Sequence, residues 1–307
     1  MLRRALLTAA GSGRLKRAVV RAPLSRGVVR RFVAGEDVDA ALAATRQLVA
    51  RGLLASIDRL GEAVTDADQA GVTAGAYVEL LRRIADARLA EFAEVSLKLS
   101  SLGQALPRDG EQIALDHARQ VCSAAAAAGT TVTLDMEDHT TTDKTLAALK
   151  ELRVDFPDVG AVLQAYLRRT EADCRDLSGE GSRIRLCKGA YREPASVAFQ
   201  DQADVDLSYV RCLRILMRGS GYPMVATHDP RLIAIADSLA QSRDKGTYEY
   251  QMLFGIRPGE QRRLAEAGET VRVYVPYGDE WYGYLMRRLA ERPANIGFFL
   301  RALASKS

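Results

Sequence analysis

Several cations stand where a buried strand should carry none. Lys98 lies between Leu97 and Leu99, Arg185 sits inside RIRLC, and Lys188 follows Leu186 and Cys187. An ionised side chain in apolar sequence is costly unless it is paired or meets a ligand. One such lysine is as readily a lining ion pair as a binding group, but three such positions favour binding. A second cationic set is Arg287-Arg288 in DEWYGYLMRRLAE, residues 279–291. Adjacent guanidinium groups offer rigid forks of donors to a carboxylate or phosphate. The usual fate of two neighbouring arginines is a solvated face, here beside Glu291. Position argues for more. The β-forming run 271–275 is broken at Pro276 and Gly278, Asp279 can cap a helix, and the helix starts at once. Ligands in α/β folds gather at the C-terminal ends of strands. At about 100° per residue, Trp281, Leu285 and Leu289 share one face, while Tyr284, Arg287, Arg288 and Glu291 fall on a separate polar arc.

The same alternation recurs along the chain. Strands are expected over 53–62, 94–103, 131–138, 159–166, 183–191, 222–229, 248–255 and from 271. Helices are expected over 37–50, 66–92, about 110–128, 143–154, 203–218, 230–242 and 259–267, with a short one after 166. The strands read as apolar on both faces, as buried parallel strands do. Eight β/α units with no linker point to one α/β domain, a (β/α)8 TIM-like barrel over residues 36–307. A doubly wound open sheet is the competing fold, but no strand is followed by GxGxxG. Residues 1–35 form a basic N-terminal extension with nine Arg or Lys and no Asp or Glu. Its plain reading is a helical segment packed on the surface. The other is contact with anionic lipid headgroups, worth ~1 kcal/mol per charge.

A net charge of +4, with no zinc-finger spacing and no aromatic RNA-binding motif, gives no sign of a nucleic-acid partner. Cys122, Cys174, Cys187 and Cys212 form no CxxC and read as reduced thiols of a cytoplasmic protein. No apolar run reaches the ~18 residues of a membrane span.

In a barrel, the polar residues at strand C-terminal ends are Glu62, Lys98, Asp135, Gln164, Arg185, Lys188, Tyr191, Thr227, His228 and Tyr274, joined by the arginine pair. Their cations make a positive pocket that calls for an anionic ligand. Three chemistries fit. Lys98 or Lys188 could form a Schiff base, as in an aldolase. Asp135, Glu137, His139 and His228 could hold a hydrolytic metal, although only three histidines are present and none are paired as HxH or HxxxH. A phosphate-bearing redox cofactor with an anionic substrate is the third, a flavin lying against Gln164, Arg185 and Lys188.

RLCKGAY (185–191), ATHD (226–229), YEYQMLFG (248–255) and above all YLMRRLAERPAN (284–295) resemble the proline dehydrogenase family. LGE (60–62) and SLKLSSL (96–102) do so too, and the resemblance runs in order from about residue 31 to 303. It implies the monofunctional bacterial type. Such an enzyme is a flavin-dependent barrel that oxidises L-proline to Δ1-pyrroline-5-carboxylate by hydride transfer to FAD and is reoxidised by a quinone. It implies a carboxylate clamp of Arg287, Arg288 and Lys98, with Asp135 orienting an arginine. Tyr191, Leu253, Tyr274 and Tyr284 would wall the pyrrolidine ring, and Glu62 would pair with Arg287 in the closed site. The flavin contacts implied are Gln164, Arg185 (near N5), Lys188, Gly189, Ala190, Thr227 and His228, with no metal. The chain departs from the pattern at Cys187, where an aliphatic residue is common. It departs also at Arg192, where bifunctional members have an aromatic, and at Arg292-Pro293, often Asn-Gly. The quinone acceptor leaves peripheral contact with the inner face of the membrane as an expectation for residues 1–35.

Overall fold

Short runs of Val, Leu, Ile and Ala become eight parallel strands, and the segments between them become helices. The structure, a computed structural model, describes residues 25–61 and 64–291, with side chains over 29–61 and 64–286. The strands are β1 Leu54–Arg59, β2 Ala93–Leu97, β3 Val132–Leu134, β4 Gly160–Gln164, β5 Arg183–Cys187, β6 Tyr222–Ala226, β7 Glu249–Leu253 and β8 Val271–Tyr277. They pair in chain order and close into a barrel, with β8 beside β1 from Leu54 opposite Arg272 to Arg59 opposite Tyr277. Among the described residues, two helices precede β1, α1 Ser25–Phe32 and α2 Val38–Val49. The crossovers carry α3 Ala67–Asp86, α4 Gly110–Ala128, α5 Thr142–Asp155, α6 Thr170–Asp176, α7 Gln202–Arg218, α8 Pro230–Ala240 and α9 Pro258–Glu266. The helix after β8 is α10, Trp281–Glu291. The (β/α)8 barrel expected from the sequence is the observed fold.

Helix starts follow local chemistry. Asp37, Asp66, Asp201 and Asp229 sit in extended backbone, and each side chain accepts an amide N–H from the first turn of α2, α3, α7 or α8. β1 to β7 stop short of the expected runs, because the polar end of each run is loop. β8 instead continues through Pro276 to Tyr277, so the break expected at Pro276 is corrected. A turn over 278–280 then precedes α10, which begins at Trp281 rather than directly after Asp279. Leu99–Leu102, read as the end of a strand, is a 3-10 turn.

The expectation that the strands are apolar on both faces is corrected. Ile57, Val95, Leu97, Leu134, Leu186 and Val273 pack outward against Leu80, Leu81, Val121, Leu149 and Leu213 of the helices. Ser56, Glu94, Ser96, Arg183, Arg185, Glu249 and Arg272 bond to one another inside the barrel, and Asp58 bonds there to Lys98. The period of two within a strand separates the two sets.

One close approach ties α1 to the C-terminal ends of the strands. Gly255, just past β7, has φ +72, and a Cβ there would lie 1.7 Å from the Arg31 carbonyl oxygen. Only glycine admits α1 at that distance. Phe32 and Val33 are buried with Trp281, Tyr282, Leu285 and Met286 of α10. Gly278, at φ +124, donates its N–H to Gly35 O at 2.9 Å.

Candidate active site

Lys98 leaves β2 at its C-terminal end and meets two carboxylates. Its Nζ donates to Asp58 Oδ1 at 2.7 Å and lies 3.7 Å from Asp135 Oδ2. Burial alone would lower the Lys98 pKa, but Asp58 and Asp135 raise it well above the ordinary lysine value. Lys98 is therefore a fixed ammonium. A Schiff-base lysine needs the opposite shift, to give a free amine at working pH, so this environment disfavours the aldolase alternative at Lys98. Burial pulls Asp58 upward against the lowering effect of Lys98. Asp58 is 1% exposed, and its Oδ2 has no hydrogen-bond partner.

Asp135 joins Lys98 to the barrel interior. Its Oδ2 accepts from the Tyr274 hydroxyl at 2.6 Å and its Oδ1 from Arg185 Nη1 at 2.7 Å. Burial, then the Asp135 and Asp58 charges, push the Tyr274 phenol far above its usual value, so it remains a donor. Arg185 is 5% exposed. Its Nη1 also donates to Ser96 Oγ at 2.9 Å, and its Nη2 donates to Ser56 Oγ at 3.0 Å and Glu94 Oε1 at 3.3 Å. A guanidinium has five N–H donors. Four are taken, and Arg185 Nε is buried without a partner. On neighbouring β4, the Gln164 side chain is also buried. Its Nε2 donates to Met136 O at 3.5 Å, while its Oε1 has no partner.

The third cation lies at the rim. Lys188 Nζ is 2.6 Å from Asp206 Oδ1 and donates to Asp229 Oδ2 at 3.2 Å; Arg231 bridges the same two carboxylates. The Arg231 hydrogen bond and then Lys188 hold Asp229 below the ordinary aspartate value. Asp206 is lowered too, where Lys188 overcomes burial. Gly189 follows at φ +107, and a Cβ there would meet the Tyr166 ring at 2.4 Å.

The positive pocket expected from the sequence is corrected on this point. Among the described residues of the barrel interior, Lys98, Arg183, Arg185 and Arg272 face Asp58, Glu94, Asp135 and Glu249 in a balanced network. Buried cations must be paired, and here the barrel supplies the partners. The Arg287, Arg288 and Glu62 contacts expected from the sequence lie outside the described residues; α10 carries the backbone of both arginines.

Other expected residues divide between two places. Leu253 and Tyr284 belong to one cluster with Leu60, Ile256 and Trp281. Tyr284 is buried, so its expected place on a polar arc of α10 is corrected: residues 281, 282 and 284–286 are all buried beneath α1 and Leu60. Tyr191 packs instead beside Tyr166, Leu167 and Ala198. Thr227 Oγ1 accepts the Asp229 N–H at 3.1 Å, and His228 Nε2 accepts the Leu253 N–H at 2.9 Å. That bond requires an unprotonated Nε2. Ala190 is half-buried after Gly189.

The hydrolytic-metal set does not converge. Asp135 is bound to Arg185 and Tyr274, and Glu137 accepts from Ser100 Oγ at 2.6 Å. His139 Nδ1 pairs with Glu193, while His228 meets Leu253. No group of three potential metal ligands occurs among the described residues. A cavity of about 530 Å³ opens at the opposite end of the barrel, lined by Ala90, Glu94, Cys122, Val132, Arg183 and Arg272. It holds none of the expected site residues, and its floor is the underside of the charge network.

Asp58, Ser56, Ser96, Glu94, Asp206 and Asp229 were absent from the expected site. Their signal was parity: Ser56 and Asp58, Glu94, Ser96 and Lys98, and Arg183 and Arg185 are polar residues two apart within apolar runs.

Among the described residues, no helix is long and apolar enough to cross a membrane. The family model for proline dehydrogenase matches residues 41–301. Proline dehydrogenase 1 of Bacillus subtilis strain 168 is 39% identical over 279 residues, covering 90% of this chain and 91% of that protein. The proline dehydrogenase of Deinococcus radiodurans is 40% identical over 280 residues, 90% of each. Proline utilization A from Bdellovibrio bacteriovorus, inactivated by N-propargylglycine, superposes with a TM-score of 0.80 at 26% identity. There, 92% of this chain matches 34% of that one, so the chain spans about a third of the larger protein. A closed barrel whose strand ends gather Lys98, Asp135, Arg185 and Tyr274, matched along nearly its whole length by these relatives, places this chain in the proline dehydrogenase family.

Proposed function

We propose that this enzyme oxidises L-proline to Δ1-pyrroline-5-carboxylate on a bound FAD and passes the electrons to a quinone. One observation carries the cofactor: Arg185 Nε and Gln164 Oε1, a donor and an acceptor on adjacent strands, are buried without partners. Buried polar atoms are almost always bonded, and a flavin edge offers both an acceptor and a donor. Gln164, Arg185, Lys188, Gly189, Ala190, Thr227 and His228 would hold the cofactor. Gly189 leaves the backbone bare where the Tyr166 ring already crowds it. When bound, the flavin supplies a two-electron acceptor for the hydride leaving proline C5.

The chain's own residues would do the rest. Lys98, held protonated by Asp58 and Asp135, would take the proline carboxylate together with Arg287 and Arg288. Leu253, Tyr191, Tyr274 and Tyr284 would bound the ring, and Glu62 would close against Arg287. Clamping one end of the substrate sets the other end over the acceptor, and orientation of this kind lowers a barrier by several kcal/mol. A cation at the Arg185 position favours electron-rich reduced flavin. The proline amine must be unprotonated for hydride loss, so activity is expected to rise toward alkaline pH. Residues 36–307 would be the catalytic unit, and the basic extension 1–35 would aid peripheral membrane contact near the quinone.

A visible spectrum of the purified protein tests the cofactor: bands near ~380 and ~450 nm that bleach with L-proline are expected. A colourless protein inactivated by borohydride with a carbonyl substrate would instead revive the Schiff-base reading at Lys98 or Lys188. For the clamp, Arg287→Lys and Arg288→Lys should each cost ~1.5–3 kcal/mol in kcat/KM with flavin retained. Sedimentation with anionic liposomes tests the extension. Salt-independent partitioning that is equal with and without residues 1–35 would remove its role.

A further inference from the structure

Arg185 is held from two sides. Above it Asp135 connects to Lys98 and Tyr274. Below it lies Glu94, which is 1% exposed. Glu94 Oε2 accepts from Arg183 Nη2 at 2.7 Å; its Oε1 accepts from Arg185 Nη2 at 3.3 Å and Thr133 Oγ1 at 3.1 Å, and lies 3.9 Å from Arg272 Nε. Arg272 has its own carboxylate, Glu249, at 2.8 Å. One carboxylate is thus shared among three guanidinium groups, hydrogen-bonded to Arg183 and Arg185 and within the field of Arg272. Ser56 and Ser96, whose Oγ atoms are 3.0 Å apart, fix the remaining edge of the Arg185 guanidinium. The four terminal N–H groups of Arg185 face protein acceptors, and only Nε–H remains.

We propose that Glu94 is a positioning residue which, through Arg185, sets the electron affinity of the flavin. The inference rests on the flavin reading above. Glu94 is the second buried carboxylate, at 3.3 Å beside Asp135 at 2.7 Å, on the cation nearest the expected cofactor, and Arg183 competes with Arg185 for it. The share of negative charge that Glu94 places on Arg185 fixes how strongly that guanidinium stabilises added electrons. Arg183 reaches the cavity at the opposite end of the barrel. The balance is therefore struck at the floor, away from the substrate groups.

The test is the flavin midpoint potential of the holoenzyme, read spectroscopically against a reference dye. Glu94→Gln keeps the shape and removes the charge. Removing a unit charge from a low-dielectric interior changes a nearby equilibrium on the order of tenfold. Reduced flavin should gain by about that factor at fixed poise, a rise of ~30 mV for a two-electron couple. Arg183→Gln leaves Glu94 to Arg185 and should lower the potential by several-fold in the same ratio. A merely structural Glu94 predicts otherwise: its loss would loosen Arg185 and lower the potential, while Arg183→Gln would lower it only through the direct field of the lost cation. A rise with Glu94→Gln and a fall with Arg183→Gln support the proposal. An unchanged or lowered potential in the first, or an unchanged or raised one in the second, overturns it. If Glu94→Gln does not fold, Glu94→Asp, which keeps a carboxylate but draws it back from Arg185, decides: the potential should rise, and an unchanged or lowered value overturns the proposal. A wild-type protein without flavin would overturn the cofactor reading and this inference with it, whereas flavin-loaded variants of unchanged potential overturn only the inference.

Discussion

Lys98 and Lys188 are the same residue just past the ends of β2 and β5, and the barrel treats them differently. Lys98 pairs with Asp58, whose side chain is 1% exposed, and the pair continues through Asp135 into Arg185 and Tyr274. Lys188 pairs with Asp206 and Asp229 at the rim, where Arg231 shares both carboxylates and is 74% exposed. The first cation is set before any ligand arrives, because Asp58, the partner nearest to it, is cut off from water. The second has partners that water and Arg231 can replace, so a phosphate can compete for it. Buried pairing gives fixed geometry, and exposed pairing gives exchangeable charge.

The largest effect expected on this contrast is on the buried side. Burial alone would raise the Glu94 carboxyl, but Arg272, Arg183 and Arg185 pull it down to about 2. Its folded pKa is depressed, so its contribution to stability is complete above the ordinary value of 4.5 and is lost as pH falls through about 2. Glu94→Gln should destabilise by ~3–5 kcal/mol at neutral pH. Chemical denaturation repeated at falling pH should show the gap from wild type closing between those values. A constant gap would mean that shape, not charge, is what Glu94 supplies. Next comes Asp135→Asn, which leaves the ring of polar groups in place but removes the charge shared by Arg185 and Lys98. Steady-state kinetics with proline should show kcat/KM down by about 100-fold, ~3 kcal/mol. A wild-type value would detach Asp135 from substrate handling.

On the rim the effect should fall on binding rather than folding. Lys188→Met should weaken flavin affinity by ~1.5–3 kcal/mol, while the unfolding midpoint of the flavin-free protein stays close to wild type. A midpoint drop as large as that of Glu94→Gln would erase the distinction between the two lysines. The smallest change is expected for Arg231→Ala: no resolvable loss of stability in thermal unfolding, and flavin binding equal to or slightly weaker than wild type, because Asp206 and Asp229 are then left wholly to Lys188.

The barrel was legible because its signal is repetition. Eight apolar runs alternate with helical segments, and aspartates at 37, 66, 201 and 229 mark helix starts. The cations of the site were legible for a local reason: Lys98, Arg185 and Lys188 interrupt hydrophobic sequence. Their partners were harder to see. Asp58 and Asp135 are 77 positions apart in sequence, and only closure of the sheet brings both to Lys98. Glu94 lies at the entrance of its strand, where acidic residues are ordinarily solvent-facing. That it is buried against Arg183, Arg185 and Arg272 is a property of barrel curvature, not of the residues beside it. Tyr284 was misread because helical periodicity finds which residues share a face and says nothing of how many faces are covered. On α10 the packing of α1 covers a second one.

That packing bears on the order in which the protein can be made. Phe32 and Val33 lean on residues of α10 that lie roughly 250 positions later in the chain. During synthesis α1 emerges early, and its apolar face must wait for almost everything else to be translated. Contacts of such long sequence separation form slowly and late. The helix bearing Arg287 and Arg288 would then be the last piece seated, clasped by one of the first. The hydrophobic edge of α1 would be exposed until it is.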